Sequence, residues 1–133
     1  MAIAIMDAQL TIIQPSGHIN ASNAAELQRQ LTTAVASAKR AVLVDMHRVE
    51  SIDSAGLMAL VSALSLSQSL KRRFSLCAIA PSIQIIFELT QLDDAFEIFE
   101  SRDAFSAMLE QRASTATSEE LAVNSVKALG LVA

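Results

Sequence analysis

The chain of 133 residues contains no tryptophan or tyrosine, one cysteine, two prolines and three glycines. With Cys77 as its single cysteine, it cannot form an intrachain disulfide, which is typical of proteins from a reducing compartment. Cys77 lies in an apolar run, so we expect it to be a buried small hydrophobic residue. Because Gly17, Gly56 and Gly130 lie far apart, the sequence has no glycine-rich phosphate-binding loop.

Metal-ligand and charge patterns also limit the function. The two histidines, His18 and His47, do not combine with Cys77 into the spacing of a metal site. The net charge of −4 argues against nucleic acid or an anionic membrane as the main partner. The N-terminal residues lack a signal-peptide pattern, and no segment approaches the roughly 18 apolar residues of a membrane span. We expect a cytoplasmic protein with no metal, no cofactor, no nucleic-acid partner and no direct membrane insertion.

The sequence is rich in aliphatic residues, and 52% of its residues are hydrophobic. A chain of this length is one domain's worth and can bury a sizeable core. Two apolar runs at residues 2–6 and 10–14 predict an opening β-hairpin. Further strands are predicted at 41–44, 74–80 and 96–99, with helices between them. These elements indicate an α/β domain with a mixed sheet of four to five strands and about four helices.

Start signals place the helices. Residues 17–23 are predicted to form a polar connection, in which Asn23 and Glu26 have the spacing of a capping box for the first helix. Pro81 is expected to open a short helix, and Ser101 to cap a last one. The second helix follows the most informative stretch of the chain.

That stretch, residues 42–61, reads as a buried strand, a short turn and the start of an apolar helix. Either Asp53 or Ser54 can cap the helix, since both carry a short oxygen-bearing side chain. Gly56 permits a close backbone approach. A hydroxyl exposed at a helix start lies where N–H donors and the helix dipole favour an anion, so a phosphate on Ser54 would be tolerated. An ordinary cap explains the same residues.

Catalysis is not expected. The residue types allow a Ser-His-Asp hydrolase built on Ser54, but the glycine that a nucleophile elbow carries two residues before its serine is missing. Such an enzyme would need a histidine within hydrogen-bond distance of Ser54. The predicted topology could bring only His18 near.

Three segments together resemble a known family. Val42 to Asp45 followed by Ile52-Asp53-Ser54-Ala55-Gly56-Leu57 is similar to the signature of STAS domains, specifically the bacterial anti-sigma factor antagonists. Gly17-His18-Ile19-Asn20 resembles the family's Gly-Glu-Leu-Asp segment, and residues 81–92 resemble its Pro-x-Val to Thr-Gly-Leu segment. The resemblance, over residues 3–110, implies a STAS-like fold for residues 1–112. Residues 113–133 form a C-terminal tail, a polar linker followed by an apolar segment of unknown role.

The resemblance implies a non-catalytic switch protein. An unmodified family member binds an anti-sigma factor that is also a serine kinase of the histidine-kinase-like ATPase type, and thereby frees a sigma factor. The kinase phosphorylates the serine after the motif aspartate, here Ser54, and a PP2C-type phosphatase reverses the modification. The residues expected to bind the partner are Asp53, Ala55, Gly56, Leu57, His18, Asn20 and Ser22.

Three positions depart from the family pattern. His18 and Asn20 stand where many members have Glu and Asp, so the loop expected beside Ser54 is less acidic and would suit a different partner. Gln91 replaces the usual glycine at a helix end. The alternative function is a STAS docking module that acts without phosphorylation, such as the cytosolic partner of a transport complex, with Ser54 only a cap. The sequence leaves the oligomeric state open.

Overall fold

A computed structural model describes residues 2–6, 10–37 and 41–111. The chain divides into two compact units, Met1–Arg102 and Asp103–Ala133. In the second unit the described residues, 103–111, are helical, and Phe105 is fully buried. The predicted tail at 113–133 lies outside the described residues.

The described residues form six strands and five helices. They are β1 (Ala2–Met6), β2 (Leu10–Ile19), α1 (Ala24–Ser37), β3 (Ala41–Asp45), β4 (Arg48–Ile52), α2 (Ser54–Ser69), β5 (Arg73–Cys77), α3 (Pro81–Leu89), α4 (Leu92–Ala95), β6 (Glu97–Phe99) and α5 (102–111). The prediction of an α/β domain with an opening hairpin and a mixed sheet is confirmed. No helix among the described residues has the length and hydropathy that crossing a membrane requires.

The sheet has the strand order β1-β2-β3-β5-β6. β1 pairs antiparallel with β2, and the remaining strands on this path are parallel. Helices α1, α2 and α3 supply the long connections that parallel pairing requires. All five residues of β3 are buried, as the continuous apolar run predicts. This central strand and the inward stripe of α1, which includes Leu27, Leu31 and Val35, form much of the core.

One strand was missed and another is longer than predicted. β4 lies within the stretch interpreted as a turn, and it pairs in parallel with the second half of β2. For the same reason β2 continues to Ile19, so the predicted polar connection at residues 17–23 is wrong over its first three positions. Val49 and Ile52 of β4 are buried. The backbone N–H and C=O groups of β4 and of the second half of β2 pair with each other. This pairing cannot be recognised from either segment considered alone.

The capping box predicted at the start of α1 does not form. The Asn23 side-chain oxygen accepts a hydrogen bond from the Asn20 backbone N–H at 2.9 Å, and the Glu26 carboxylate pairs with Arg29. The Asn23 side chain therefore forms a hydrogen bond within the loop before α1 instead of capping the helix. At the end of α3, Gln91 takes a left-handed conformation with φ 60°, at the position where the family usually has glycine.

Candidate functional site

The start of α2 resolves which residue caps this helix. Asp53 has extended backbone angles (φ −104°, ψ −173°), and its carboxylate accepts a hydrogen bond from the Gly56 N–H at 3.1 Å. Its carbonyl accepts from the Leu57 N–H at 2.9 Å, which closes the first helical turn. Asp53 is therefore the N-cap, and Ser54 is the first residue of the helix.

Ser54 is exposed. Within residues 2–6, 10–37 and 41–111, no hydrogen bond engages its hydroxyl. Because Asp53 already caps the helix, the Ser54 hydroxyl has no structural task that a modification would interrupt. The hydroxyl also lies at the helix end where the dipole and the unpaired N–H groups favour an added negative charge.

Gly56 holds the helix start against the sheet. A Cβ atom at this position would lie 2.6 Å from Cγ1 of Ile52 and 2.7 Å from Cγ2 of Ile19. Both isoleucines are buried at the carboxyl ends of β4 and β2. The absence of a side chain thus allows α2 to begin directly on these two strand ends, which fixes the position of Ser54.

The structure brings the second predicted segment, residues 18–22, to the same place. The Asp53 N–H donates to the carbonyl of Ile19 at 3.0 Å, so the end of β2 touches the cap of α2. The Asn20 side-chain oxygen accepts from the Ser22 N–H at 2.9 Å and also from the Ser22 hydroxyl, which fixes the loop that follows. The two parts of the predicted binding surface are therefore contiguous.

Exposure divides the predicted binding residues. His18, Ser22, Asp53 and Ser54 are exposed, Asn20, Ala55 and Leu57 are half-buried, and Gly56 is buried. Leu57 packs against the hydrophobic core. The exposed group can meet a partner directly, whereas Gly56 and Leu57 support the helix from below.

A cluster that sequence reasoning missed lies beside this surface. Nδ1 of His18 is 2.7 Å from the hydroxyl of Ser51, and its Nε2 is 3.6 Å from a carboxylate oxygen of Glu50. The ring bonds Ser51, and among the described residues no histidine forms a hydrogen bond with the Ser54 hydroxyl.

The outward face of α2 is unusual for an exposed helix. No Asp, Glu, Lys or Arg occurs between Ser54 and Ser69. Met58, one turn after Ser54, is 58% exposed. A surface that lacks charge and presents methionine has the composition of the central part of a protein interface.

A second polar group, at the end of β3, stabilises the fold. Asp45 is buried and accepts hydrogen bonds from Arg102 at 2.8 Å, Gln14 at 3.2 Å and the His47 N–H at 3.0 Å.

Cys77 is buried, as predicted. Burial, reinforced by the negative charge of Asp45, raises the pKa of the Cys77 thiol to about 12, and the positive charge of Arg102 has a smaller opposing effect. A thiol in this state is unreactive.

The fold and the helix start define a small α/β domain that presents a serine beside an aspartate cap. The family model of the STAS domain matches residues 4–105. The chain belongs to the STAS domain family.

Several proteins that this chain resembles are described as anti-sigma factor antagonists. BtrV of Bordetella bronchiseptica, which bears that description, is 29% identical over 91 residues, which cover 68% of this chain and 78% of BtrV. A solved Thermotoga maritima structure with the same description has a TM-score of 0.74 at 23% identity and covers 84% of this chain and 94% of its own. The phosphorylated form of the Bacillus protein SpoIIAA superposes with a TM-score of 0.66 at 14% identity, over 82% and 99% of the two chains.

Proposed function

We propose that this protein is an anti-sigma factor antagonist controlled by phosphorylation of Ser54. In its unphosphorylated form it binds an anti-sigma factor that is also a serine kinase of the histidine-kinase-like ATPase type, and the sigma factor is released. Phosphate on Ser54 inactivates it, and a PP2C-type phosphatase restores it. The chain itself is regulatory and not catalytic, and it acts in the cytoplasm.

The exposed, unoccupied hydroxyl of Ser54 at the capped start of α2 carries the proposal. A phosphate there would add about −1.5 to −2 charges beside Asp53. The isolated domain tolerates this charge because Asp53 and not Ser54 caps α2, and because the helix dipole favours an anion at this end. We therefore expect the modification to change the stability of the isolated domain little.

We expect the modification to weaken the complex with the partner. The uncharged face that begins at Ser54 and continues to Met58 suits a partner surface from which water is excluded. A phosphate at its edge would have to be desolvated in the complex, and it would repel any acidic group of the partner. The relatives named anti-sigma factor antagonists, and a structure of this fold in a phosphorylated form, support the same assignment.

The decisive experiment combines mass spectrometry with affinity measurement. The protein is incubated with Mg·ATP and each candidate anti-sigma factor kinase of its host, and fragmentation locates the phosphate. Protein that carries phosphate only on Ser54 is then isolated by ion exchange, and its affinity for the kinase is compared with that of unmodified protein. We expect at least a 100-fold weaker affinity, equivalent to about 2.7 kcal/mol.

Ser65→Ala is the matched control, because Ser65 is an exposed serine on the same helix. This variant should keep both the phosphate on Ser54 and the loss of affinity. Tight binding of a candidate kinase without phosphate on Ser54 would refute the switch and favour the docking module that acts without phosphorylation.

A further inference from the structure

We propose that Ser51 is a second phosphate acceptor, with His18 as the base that activates its hydroxyl. The inference rests on the proposed function, because it assigns the donor to the same kinase that phosphorylates Ser54. It differs in its site and in its chemistry. Ser54 has no hydrogen-bond partner among the described residues, whereas the Ser51 hydroxyl is held by an imidazole.

A β-bulge creates this arrangement. In the parallel pairing of β2 and β4, Gly17 lies opposite Val49, but His18 lies opposite Ser51, so Glu50 is skipped. Consecutive residues of a regular strand point to opposite faces of the sheet. At this bulge, however, both Glu50 and Ser51 are exposed, and the ring of His18 lies between their side chains. Bulges recur next to functional sites because they redirect side chains in this way.

The contact has the geometry of a base and its nucleophile. The distance of 2.7 Å between Nδ1 of His18 and Oγ of Ser51 is that of a good hydrogen bond. In the tautomer that carries the ring proton on Nε2, Nδ1 accepts the Ser51 O–H, and the Nε2–H faces the Glu50 carboxylate at 3.6 Å. At 3.6 Å the contact with Glu50 is electrostatic, between two exposed side chains, and is not a hydrogen bond.

The transfer balances without any further reactant. The Ser51 O–H bond breaks and its proton moves to Nδ1 of His18, while Oγ forms a bond to the γ-phosphorus of the kinase's ATP. The bond between that phosphorus and the β,γ-bridging oxygen breaks, and ADP leaves with its electron pair. His18 is left as an imidazolium directly beside the new phosphate, where a charge-assisted hydrogen bond stabilises the product.

Access to a kinase is favourable. Ser51 is exposed and lies three residues before Ser54, so the two Cα atoms are at most about 11 Å apart. β4 pairs with β2 and with no other strand in the described part of the chain. One edge of β4 therefore has no described strand beside it, as in the sheet edges to which extended segments of a partner add. A second phosphate would strengthen the repulsion of the partner and make the switch graded in two steps.

The test uses the full-length protein and the kinase that phosphorylates Ser54, with Mg·ATP. Phosphate on each residue is quantified by fragmentation in wild type, Ser54→Ala and the double variant Ser51→Ala/Ser54→Ala. We expect Ser54→Ala to keep one phosphate, on Ser51, and the double variant to have none. His18→Asn tests the base, because asparagine can hold the hydroxyl but cannot take its proton.

The readout for His18→Asn is the ratio of phosphate on Ser51 to phosphate on Ser54 in the same molecules. A weaker partner contact lowers both values and leaves the ratio unchanged, whereas loss of the base should lower the ratio by about 100-fold or more. Phosphate on Ser54 without any on Ser51 would overturn this inference and leave the proposed function standing. An unchanged ratio in His18→Asn would overturn the role of His18. If no kinase modifies Ser54, the proposed function fails and this inference fails with it.

Discussion

Replacement of Gly56 by alanine should move the helix start that carries Ser54. The added Cβ would lie 2.6 Å from Ile52 Cγ1 and 2.7 Å from Ile19 Cγ2. Carbon atoms in contact are normally about 3.5–4.0 Å apart, so both contacts are short by at least about 0.8 Å. Ile52 is 6% exposed and Ile19 1%, so neither side chain can turn away into solvent. The helix start must therefore shift away from the sheet.

The expected cost follows from two opposing effects. Overpacking a tightly filled core typically costs about 1–3 kcal/mol. Alanine recovers up to about 1 kcal/mol of helix propensity relative to glycine. Taking the middle of the overpacking range, about 2 kcal/mol, and subtracting at most about 1 kcal/mol, we expect the free energy of unfolding to fall by about 1–2 kcal/mol. For a domain of this size, that corresponds to a melting temperature lower by roughly 4–8 °C.

Urea denaturation followed by far-UV circular dichroism measures this change, since the chain has no tryptophan to report by fluorescence. The midpoint should fall with an unchanged slope. Ile52→Ala, which removes the atoms at 2.6 and 3.1 Å, provides a double-mutant cycle. The double variant should lose at least about 0.5 kcal/mol less than the sum of the two single losses. Gly56→Ala with wild-type stability, or strict additivity in the cycle, would refute the steric argument.

Two further predictions concern stability. Because the pKa of Cys77 is raised from 9.0 to about 12, the folded protein keeps a proton that the unfolded chain releases; this contribution is complete below about pH 9 and is lost as the pH rises toward 12. Cys77→Ala should flatten that decline in urea titrations between about pH 8 and 10, and an equal decline in both proteins would contradict the shift. Gln91→Gly should raise the free energy of unfolding by about 0.5–1 kcal/mol, because glycine removes the strain of φ 60°. Gln91→Val should lower it, and the opposite order in urea midpoints would show that the conformation is not strained.

The parts of the fold that depend on local pattern were predictable from sequence. The apolar run of β3 and the helical spacing from Leu57 onward are local, and so are the strand–turn–helix signals around them. β4 and the second half of β2 were not predictable in this way. Residues 16–18 and 48–51 are mostly polar, and each forms a strand only because the other pairs with it. Pairing between distant segments leaves no periodic trace in either one.

Part of the candidate site could likewise be predicted from local sequence, and part could not. Capping is a local interaction, so the start of α2 at Asp53 and Ser54 could be located from three or four residues of sequence. The contact of His18 with Ser51 and Glu50 could not, because adjacent strand residues should point to opposite faces. Only the shifted register after Gly17, which takes φ 75°, places both beside one imidazole. A change of one residue in register thus places the imidazole of His18 against the Ser51 hydroxyl. The position of Ser54, three residues later, depends on the start of α2 alone.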